Sequence, residues 1–148
     1  FLEREGLETR VASSIEVNKV AEPYVIRRAR RHLEKGRIVI LAAGTGNPGV
    51  TTDTAAVLRA ADIEADVMMK GTKVDGVYDR DPEKHAEAKF LDSLSYQEFL
   101  STGLEKIMDR TAVAQAEMIK LPLFVFNILK PGNLARAIDG EARGTFIR

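Results

Sequence analysis

Short apolar runs alternate with polar segments along this chain, and the spacing of the apolar residues changes between the two. Nearly uninterrupted apolar runs at residues 38–43, 67–70 and 121–127 are typical of strands buried on both faces of a parallel sheet. Residues 7–15 and 144–147 are interpreted as further strands. Segments with helical spacing lie between the strands. This order predicts an α/β fold, a three-layer α/β/α sandwich with a mainly parallel sheet.

A helix with a basic outer face is predicted directly after Pro23. Its apolar residues Val25, Ala29 and Leu33 recur at helical spacing, and Gly36 ends it. The arginines of the outer face are either a solvated surface or a site for a phosphate or an effector.

Two later helices begin with capping residues. Ser95 opens a Ser-x-x-Glu capping box at the start of a short helix. Asp109 precedes the next helix, whose inward stripe is predicted to be Ala112, Ala116 and Ile119. The carboxylate of Asp109 is interpreted as a cap, with a part in placing a metal or a nucleotide as the alternative.

The stretch between the first buried strand and its helix, residues 44–53, is called the glycine-rich loop below. It is longer than a simple connection needs, and either Thr52 or Asp53 is expected to cap the helix. A glycine-rich loop before a helix N-terminus readily holds an anion. Asp53 would repel a phosphate unless a cation lies between them, so we interpret it as an organiser of positive groups. A neutral, polar part of the ligand is then expected to contact the side chains of Thr45, Asn47, Thr51 and Thr52. The alternative is a capped loop without a ligand.

Two well-known phosphate motifs fail on this loop. Gly44, Gly46 and Gly49 have the spacing G-x-G-x-x-G, but Pro48 delays the helix, and no acidic residue stands where the ribose-binding acid of the dinucleotide fingerprint belongs. Val50 occupies the position of the Walker A lysine. The loop is therefore neither of these two phosphate sites.

The second strand leads into another polar stretch, residues 71–82. The carboxyl ends of neighbouring parallel strands open into one crevice, so this stretch and the glycine-rich loop are expected to face the same ligand. The prediction assumes that the strand before the loop, the helix after it and the second strand form one right-handed crossover unit. Lys70, at the predicted strand end, either neutralises a transferring phosphoryl group or extends into solvent.

Asp75-Gly76 predicts a hairpin turn, after which residues 77–78 return along the second strand. Tyr78 offers a flat face to a purine, and Asp81 can accept hydrogen bonds from ribose hydroxyls. Packing for Tyr78 and a turn with Pro82 for Asp81 are the alternatives.

Composition narrows the class of protein. The chain has 148 residues, with 22 basic and 22 acidic side chains, so bulk charge does not favour a nucleic-acid or membrane partner. It lacks cysteine, which excludes disulfides and thiolate metal sites. No apolar run approaches the roughly 20 residues of a membrane span. These features predict a cytoplasmic protein.

Residues 44–53 and 70–82 resemble the bacterial uridylate kinases, which are members of the amino-acid kinase family. The first motif, Gly-Thr-Gly-Asn-Pro-x-x-Thr-Thr-Asp, is the more specific, whereas aspartate and glutamate kinases loosely share the second, Lys-Gly-Thr-Lys-Val-Asp-Gly-Val-Tyr-Asp-Arg-Asp-Pro. The likeness covers nearly the whole chain. Gly49 and Val50 depart from it, because aromatic residues are common there in the family.

The resemblance implies transfer of the γ-phosphoryl group of ATP to UMP, with Mg²⁺ on the donor. In that interpretation Asp53 orients lysines, Lys70 is the second catalytic candidate, and ATP contacts Thr72, Tyr78 and Asp81. A homohexamer activated by GTP and inhibited by UTP is also implied. UMP would be held by Thr45, Gly46, Asn47, Pro48, Gly49, Val50, Thr51 and Thr52.

The resemblance also implies that residues 1–148 are the C-terminal portion of a single amino-acid kinase domain. The lysine and the glycine-rich turn that hold the donor phosphates would lie in an N-terminal part. Residues 1–6 fit this expectation, because they have the pattern of a helix end closed by Gly6.

Three rival functions remain open at this point. An acylphosphate-forming kinase of the same family would keep residues 74–82 but lack the Gly-Thr-Gly-Asn-Pro motif. A nucleotide-binding module without turnover is the second rival. A dinucleotide-binding oxidoreductase is the third.

Overall fold

A computed structural model describes residues 1–104 and 107–148 of the chain. The chain folds as two compact units, Phe1–Glu64 and Ala65–Arg148. The prediction that residues 1–148 are one portion of a single domain stays a prediction.

The first unit is built on a parallel sheet of three strands in the order β2-β1-β3. A short 3-10 helix, Leu2–Glu5, precedes the sheet, and Gly6 ends it in the left-handed conformation with φ 81°. The strands are β1 (Thr9–Ser13), β2 (Glu22–Pro23) and β3 (Ile38–Ala42), and the helices are α1 (Ile26–Glu34) and α2 (Thr52–Asp62).

Helix α1 confirms the predicted basic helix but not its inward stripe. Ala29 is buried, whereas Val25 and Leu33 are 43% and 38% exposed. Nor is the basic face simply solvated, because Arg30 donates to the carbonyl of Asp62 at 2.7 Å and pairs with Glu64 at 2.7 Å.

Strand β3 corrects the prediction of burial on both faces. Among the described residues it pairs only with β1, so it lies at the edge of the three-stranded sheet. Ile38 and Ile40 are 37% and 44% exposed, as is Val11 beside Ile40 at 36%. An apolar run predicts a strand here, but it does not determine whether both faces are covered.

The second unit contains a four-stranded sheet in the order β4-β8-β9-β7 and a separate two-stranded pair, β5-β6. Its helices are α3 (Tyr96–Ser101), α4 (Arg110–Ile119) and α5 (Asn133–Ile138). Its strands are β4 (Met68–Thr72), β5 (Val77–Tyr78), β6 (Phe90–Leu91), β7 (Ser93–Leu94), β8 (Leu123–Asn127) and β9 (Gly144–Ile147).

Strand β8 is the core of the second unit, since Leu123, Phe124, Val125 and Phe126 are all buried. It runs parallel to β4 and antiparallel to β9. Of the six strand pairings in the described residues, β1-β2, β1-β3, β4-β8 and β7-β9 are parallel. The predicted α/β class with mainly parallel strands is confirmed.

Both predicted caps in the second unit are confirmed. Ser95 and Glu98 form the reciprocal capping box of α3, and the carboxylate of Asp109 accepts from Ala112 N at 2.9 Å at the start of α4. The inward side of α4 is Ala112, Val113 and Ala116, whereas Ile119 is 49% exposed.

Three predictions about strand β4 are wrong. It continues to Thr72, so Lys70 lies in its middle, opposite Val125, rather than at its end. Strand β5 pairs with β6 and not with β4. Strands β3 and β4 belong to different sheets, so they do not form one crossover unit in a single sheet.

The predicted end of β4 is Lys70, one residue before Gly71. Gly71 instead pairs with Phe126 inside the parallel ladder. A Cβ at this position would lie 2.8 Å from the side chain of Ile128. Close packing therefore explains the glycine, and the strand carries on through it.

Candidate functional site

The glycine-rich loop begins with an abrupt change in backbone direction. Ala43 and Gly44 both have positive φ, 65° and 56°, and Gly46 follows with φ 78°. A Cβ on Gly46 would lie 3.1 Å from the carbonyl oxygen of Ser14. Glycine is therefore required at residue 46 by both conformation and contact.

The end of the loop is fixed by a cap on α2. The hydroxyl of Thr51 accepts a hydrogen bond from Thr54 N at 3.1 Å. The helix begins one residue earlier than expected, so the prediction of Thr52 or Asp53 as the cap is wrong. Asp53 instead lies in the first helical turn, where the helix dipole favours a carboxylate.

Between these two fixed ends the loop is open to solvent. Residues 46–52 are exposed, while Thr45 and Asp53 are half-buried. The hydroxyl of Thr45 accepts a hydrogen bond from Asn47 N at 3.1 Å, which folds the loop locally. Of the residues predicted to hold UMP, 46–52 thus form a continuous exposed surface, and their role in binding stays a prediction.

Arg59 of α2 fastens the start of this loop to strand β1. Its Nη2 donates to Ser14 Oγ at 2.7 Å and to the carbonyl of Gly44 at 3.3 Å. Ser14 Oγ itself donates to the same carbonyl at 2.7 Å. The first glycine of the loop is thereby held by two side chains that are distant in sequence.

A second set of contacts fixes Arg59 itself. Its guanidinium lies 3.8 Å from the ring centroid of Tyr24, and its Nη1 donates to Asp62 Oδ2 at 2.9 Å. The hydroxyl of Tyr24 donates to the same carboxylate oxygen at 2.8 Å. Burial raises the pKa of Tyr24 to about 12, and the hydrogen bond to Asp62 adds to the rise.

In the second unit, a network of side chains holds residues 72–75 after β4. The hydroxyl of Thr72 donates to the carbonyl of Val74 at 2.7 Å, so it is already used within the turn. Asp75 pairs with Lys130 at 2.6 Å and accepts from Asn127 Nδ2 at 3.1 Å. Hydrogen bonding to Lys130 lowers the pKa of Asp75 below its ordinary value.

A cavity of about 440 Å³ opens beside this turn. Residues between 74 and 83 form one side of it, Tyr78 and Asp81 among them, and residues 102–104 and 107 form the other. Its size falls in the range of small-molecule sites. Two of the three residues predicted to contact ATP thus line one cavity, while Thr72 is not among the described lining residues.

The aromatic and acidic groups of this wall have defined partners. Tyr78 packs edge-to-face on Phe90, with ring centroids 5.3 Å apart. Asp81 Oδ1 accepts from Glu83 N at 3.0 Å. Asp79 accepts from Lys89 N at 2.8 Å, and this hydrogen bond lowers the pKa of Asp79.

Several residues that shape these two regions escaped the sequence analysis. Arg59 is separated from Ser14 by 45 residues, and Thr145 from Val77 by 68. Each is a common residue type outside any motif, so the sequence carries no local signal for it. The lysine–carboxylate pair of Lys130 and Asp75 was equally missed.

No group of three or more His, Cys, Asp or Glu side chains in residues 1–104 and 107–148 is placed to hold a metal ion. Within the same residues, none of the helices has the length and hydropathy needed to span a membrane.

Comparison with known proteins places the chain among kinases. Residues 1–127 match the amino acid kinase family. Over 146 residues the chain is 54% identical to the chloroplastic uridylate kinase PUMPKIN of Arabidopsis thaliana, a match that covers 99% of this chain and 43% of that protein.

Solved structures give the same result. The UMP kinase from Ureaplasma parvum matches with a TM-score of 0.93 and 33% identity, over 99% of this chain and 62% of that one. The UMP kinase from Bacillus anthracis matches with a TM-score of 0.92 and 40% identity, over 97% of this chain and 59% of that one. The chain therefore spans less than two thirds of the length of these relatives.

Proposed function

Because this chain belongs to the amino acid kinase family, we propose that its protein transfers the γ-phosphoryl group of ATP to UMP, giving UDP and ADP. The resemblance to uridylate kinases and the predicted fold are confirmed by the matches to UMP kinases. The cavity lined by Tyr78 and Asp81 is the main support for the proposal, because its volume of about 440 Å³ falls in the range of small-molecule sites.

The chemistry of the glycine-rich loop suits the acceptor, UMP. A uracil ring is neutral and carries both hydrogen-bond donors and acceptors. The exposed amide of Asn47 and the hydroxyls of Thr45 and Thr51 supply both kinds of partner. The positive end of the α2 dipole suits the phosphate, and the residues just before the helix are exposed, so residues 45–52 are proposed to bind UMP.

The donor is proposed to occupy the cavity of the second unit. Tyr78 provides an aromatic face of the kind on which a base stacks, and the carboxylate of Asp81 can accept hydrogen bonds from ribose hydroxyls. Thr72 is also proposed as an ATP contact. Its hydroxyl donates to the carbonyl of Val74 and so holds the turn that leads to the cavity.

Charge stabilisation is the main task of a protein in phosphoryl transfer. Lys70 is proposed to neutralise the transferring group, and Asp53 to orient the cations around it. Mg²⁺ in such sites is usually held by substrate phosphates and one or two carboxylates. Asp75, Asp79 and Asp81 already accept hydrogen bonds from protein groups, which suits a metal carried mainly by the ATP phosphates.

The proposal is tested by ADP release in a coupled assay on the protein expressed from its complete reading frame. UMP, aspartate, glutamate and acetylglutamate are compared as acceptors in the presence of ATP and Mg²⁺. We expect turnover with UMP alone. Turnover with one of the amino acids, and none with UMP, would instead assign an acylphosphate-forming kinase.

A nucleotide-binding module without turnover is the second candidate, because a cavity of small-molecule size can bind a nucleotide without transferring its phosphate. Calorimetry and ADP release, both measured on the protein from its complete reading frame, distinguish the two. UMP binding without ADP release after addition of ATP and Mg²⁺ would support the module. The same experiment with NAD tests the oxidoreductase alternative, which we expect to fail.

Assembly, regulation and location extend the proposal. We propose a homohexamer, with GTP and UTP as effectors, in the cytoplasm. The printed name of the Arabidopsis relative places that protein in the chloroplast. Light scattering at several protein concentrations tests the hexamer, and turnover at fixed ATP and UMP with added GTP or UTP tests the effectors.

A further inference from the structure

A buried hydroxyl from the last strand holds the wall of the nucleotide cavity. Thr145 of β9 is fully buried, and its Oγ1 accepts a hydrogen bond from Val77 N at 2.8 Å. The same hydroxyl donates to the carbonyl of Leu91 at 2.5 Å. Val77 and Leu91 are paired residues of β5 and β6, so one hydroxyl joins both strands of the pair.

The cavity wall lies directly against this threonine. Gly76 lines the cavity, and a Cβ on it would lie 2.5 Å from Thr145 Oγ1 and 2.9 Å from the Phe90 ring. There is no room for a side chain between the wall and the hydroxyl. A displacement of Thr145 therefore passes directly to the backbone of the cavity.

The aromatic part of the wall is fastened from the same strand region. Phe90 of β6 packs on Tyr78 of β5, and the guanidinium of Arg143 lies 4.3 Å from the centroid of Phe90. The position of the Tyr78 ring thus depends on how β5 and β6 are held together. Thr145 and Arg143 both lie beyond residue 127, where the match to the family ends.

We propose that Thr145 is a positioning residue for the donor nucleotide: its hydroxyl fixes the spacing of β5 and β6 and so holds Tyr78 for stacking on adenine. The inference rests on the proposed function. It predicts that the loss of this hydroxyl weakens the binding of adenine nucleotides while leaving UMP binding unchanged.

The test uses Thr145→Val, which keeps the shape and removes the hydroxyl, and Thr145→Ser, which keeps the hydroxyl. Ile147→Val is the matched control, because Ile147 is a fully buried residue of the same strand that pairs with Leu123 and Leu94 instead of the cavity wall. Binding of a non-hydrolysable ATP analogue and of UMP is measured by calorimetry on the protein from its complete reading frame.

We expect Thr145→Val to lower the affinity for the ATP analogue by about tenfold, because a buried N–H at the cavity wall loses its acceptor. The affinity for UMP should stay within about twofold of that of the unaltered protein. Thr145→Ser and Ile147→Val should both bind the analogue normally. If Thr145→Val does not fold, Thr145→Ala replaces it with the same expected loss of analogue binding, because it also removes the hydroxyl that accepts from Val77 N.

Each other result has a definite meaning. Normal analogue binding by Thr145→Val, weak binding by Thr145→Ser, or an equal loss in Ile147→Val would overturn the positioning role. If the unaltered protein binds UMP but no adenine nucleotide, the proposed function fails as well, which separates the two failures.

Discussion

Arg59 gives the sharpest prediction about the acceptor side. The change is Arg59→Met, which keeps an unbranched side chain and removes the guanidinium. It deletes the hydrogen bonds to Ser14, Gly44 and Asp62 and the contact with the Tyr24 ring. The side chain of Arg59 is only 18% exposed, so solvent cannot replace these contacts fully.

The size of the effect follows from opposing contributions. The three hydrogen bonds share one guanidinium and together contribute about 3 kcal/mol, and the cation–π contact adds about 1 kcal/mol. The Nε of Arg59 is buried without an acceptor among the described residues, so its removal recovers about 1 kcal/mol. The net loss in the free energy of unfolding is about 3 kcal/mol, or about 6–12 °C in Tm for a chain of this size.

A second consequence concerns the ligand. Without Arg59 the start of the glycine-rich loop must be ordered when UMP binds, and ordering one residue costs about 1–2 kcal/mol. The dissociation constant for UMP should therefore rise about tenfold. Thermal unfolding and calorimetry measure the two effects, with the exposed Arg28→Met as the matched control.

Two outcomes would contradict this account of Arg59. An Arg59→Met protein with the melting temperature of the unaltered protein would mean that the contacts contribute nothing. A lower melting temperature with unchanged UMP affinity would mean that Arg59 stabilises the unit but does not order the loop.

Three further predictions concern single residues of these regions. Asp53→Asn should lower turnover far more than UMP affinity, because the carboxylate is proposed to orient cations; unchanged turnover in steady-state kinetics would remove it from the reaction. Gly46→Ala should cost about 1–3 kcal/mol of stability, since φ is 78° and Ser14 leaves no room, and urea unfolding checks this. The raised pKa of Tyr24, about 12 against an ordinary value of 10, means that its contribution to stability is complete below pH 10 and is lost as the pH rises through 12. Alkaline absorbance titration should therefore lose a step near pH 12 in Tyr24→Phe, and an unchanged titration curve would count against the Tyr24–Asp62 hydrogen bond.

The sequence predicts those elements whose signal is local. The apolar run of β8 and the capping residues Ser95 and Asp109 act on their immediate neighbours, and all three predictions are confirmed. The cap of α2 was missed by one residue, because Thr51 and Thr52 offer the same hydroxyl at adjacent positions.

Strand pairing could not be predicted in the same way. Val77 and Tyr78 follow a turn signal after β4, and this pattern favours a strand that pairs with β4. In the structure β4 pairs with β8, and β5 pairs with β6 after an intervening loop. The buried hydroxyl of Thr145 joins β5 and β6 from a strand near the end of the chain. The pairing partner of β5 therefore depends on residues distant in sequence, which no local pattern specifies.

The two candidate ligand segments share one physical arrangement. In each, the motif supplies glycines and polar side chains, while a residue outside the motif hydrogen-bonds its backbone: Arg59 at the carbonyl of Gly44, and Thr145 at Val77 N. Such a residue fixes the position of the backbone. A ligand binds more tightly when the backbone already has its bound conformation before the ligand arrives. A chain that keeps both motifs but lacks Arg59 and Thr145 should therefore keep the chemistry of its site and lose affinity for both nucleotides. We expect the motifs to determine which ligands bind and the distant residues to determine how tightly.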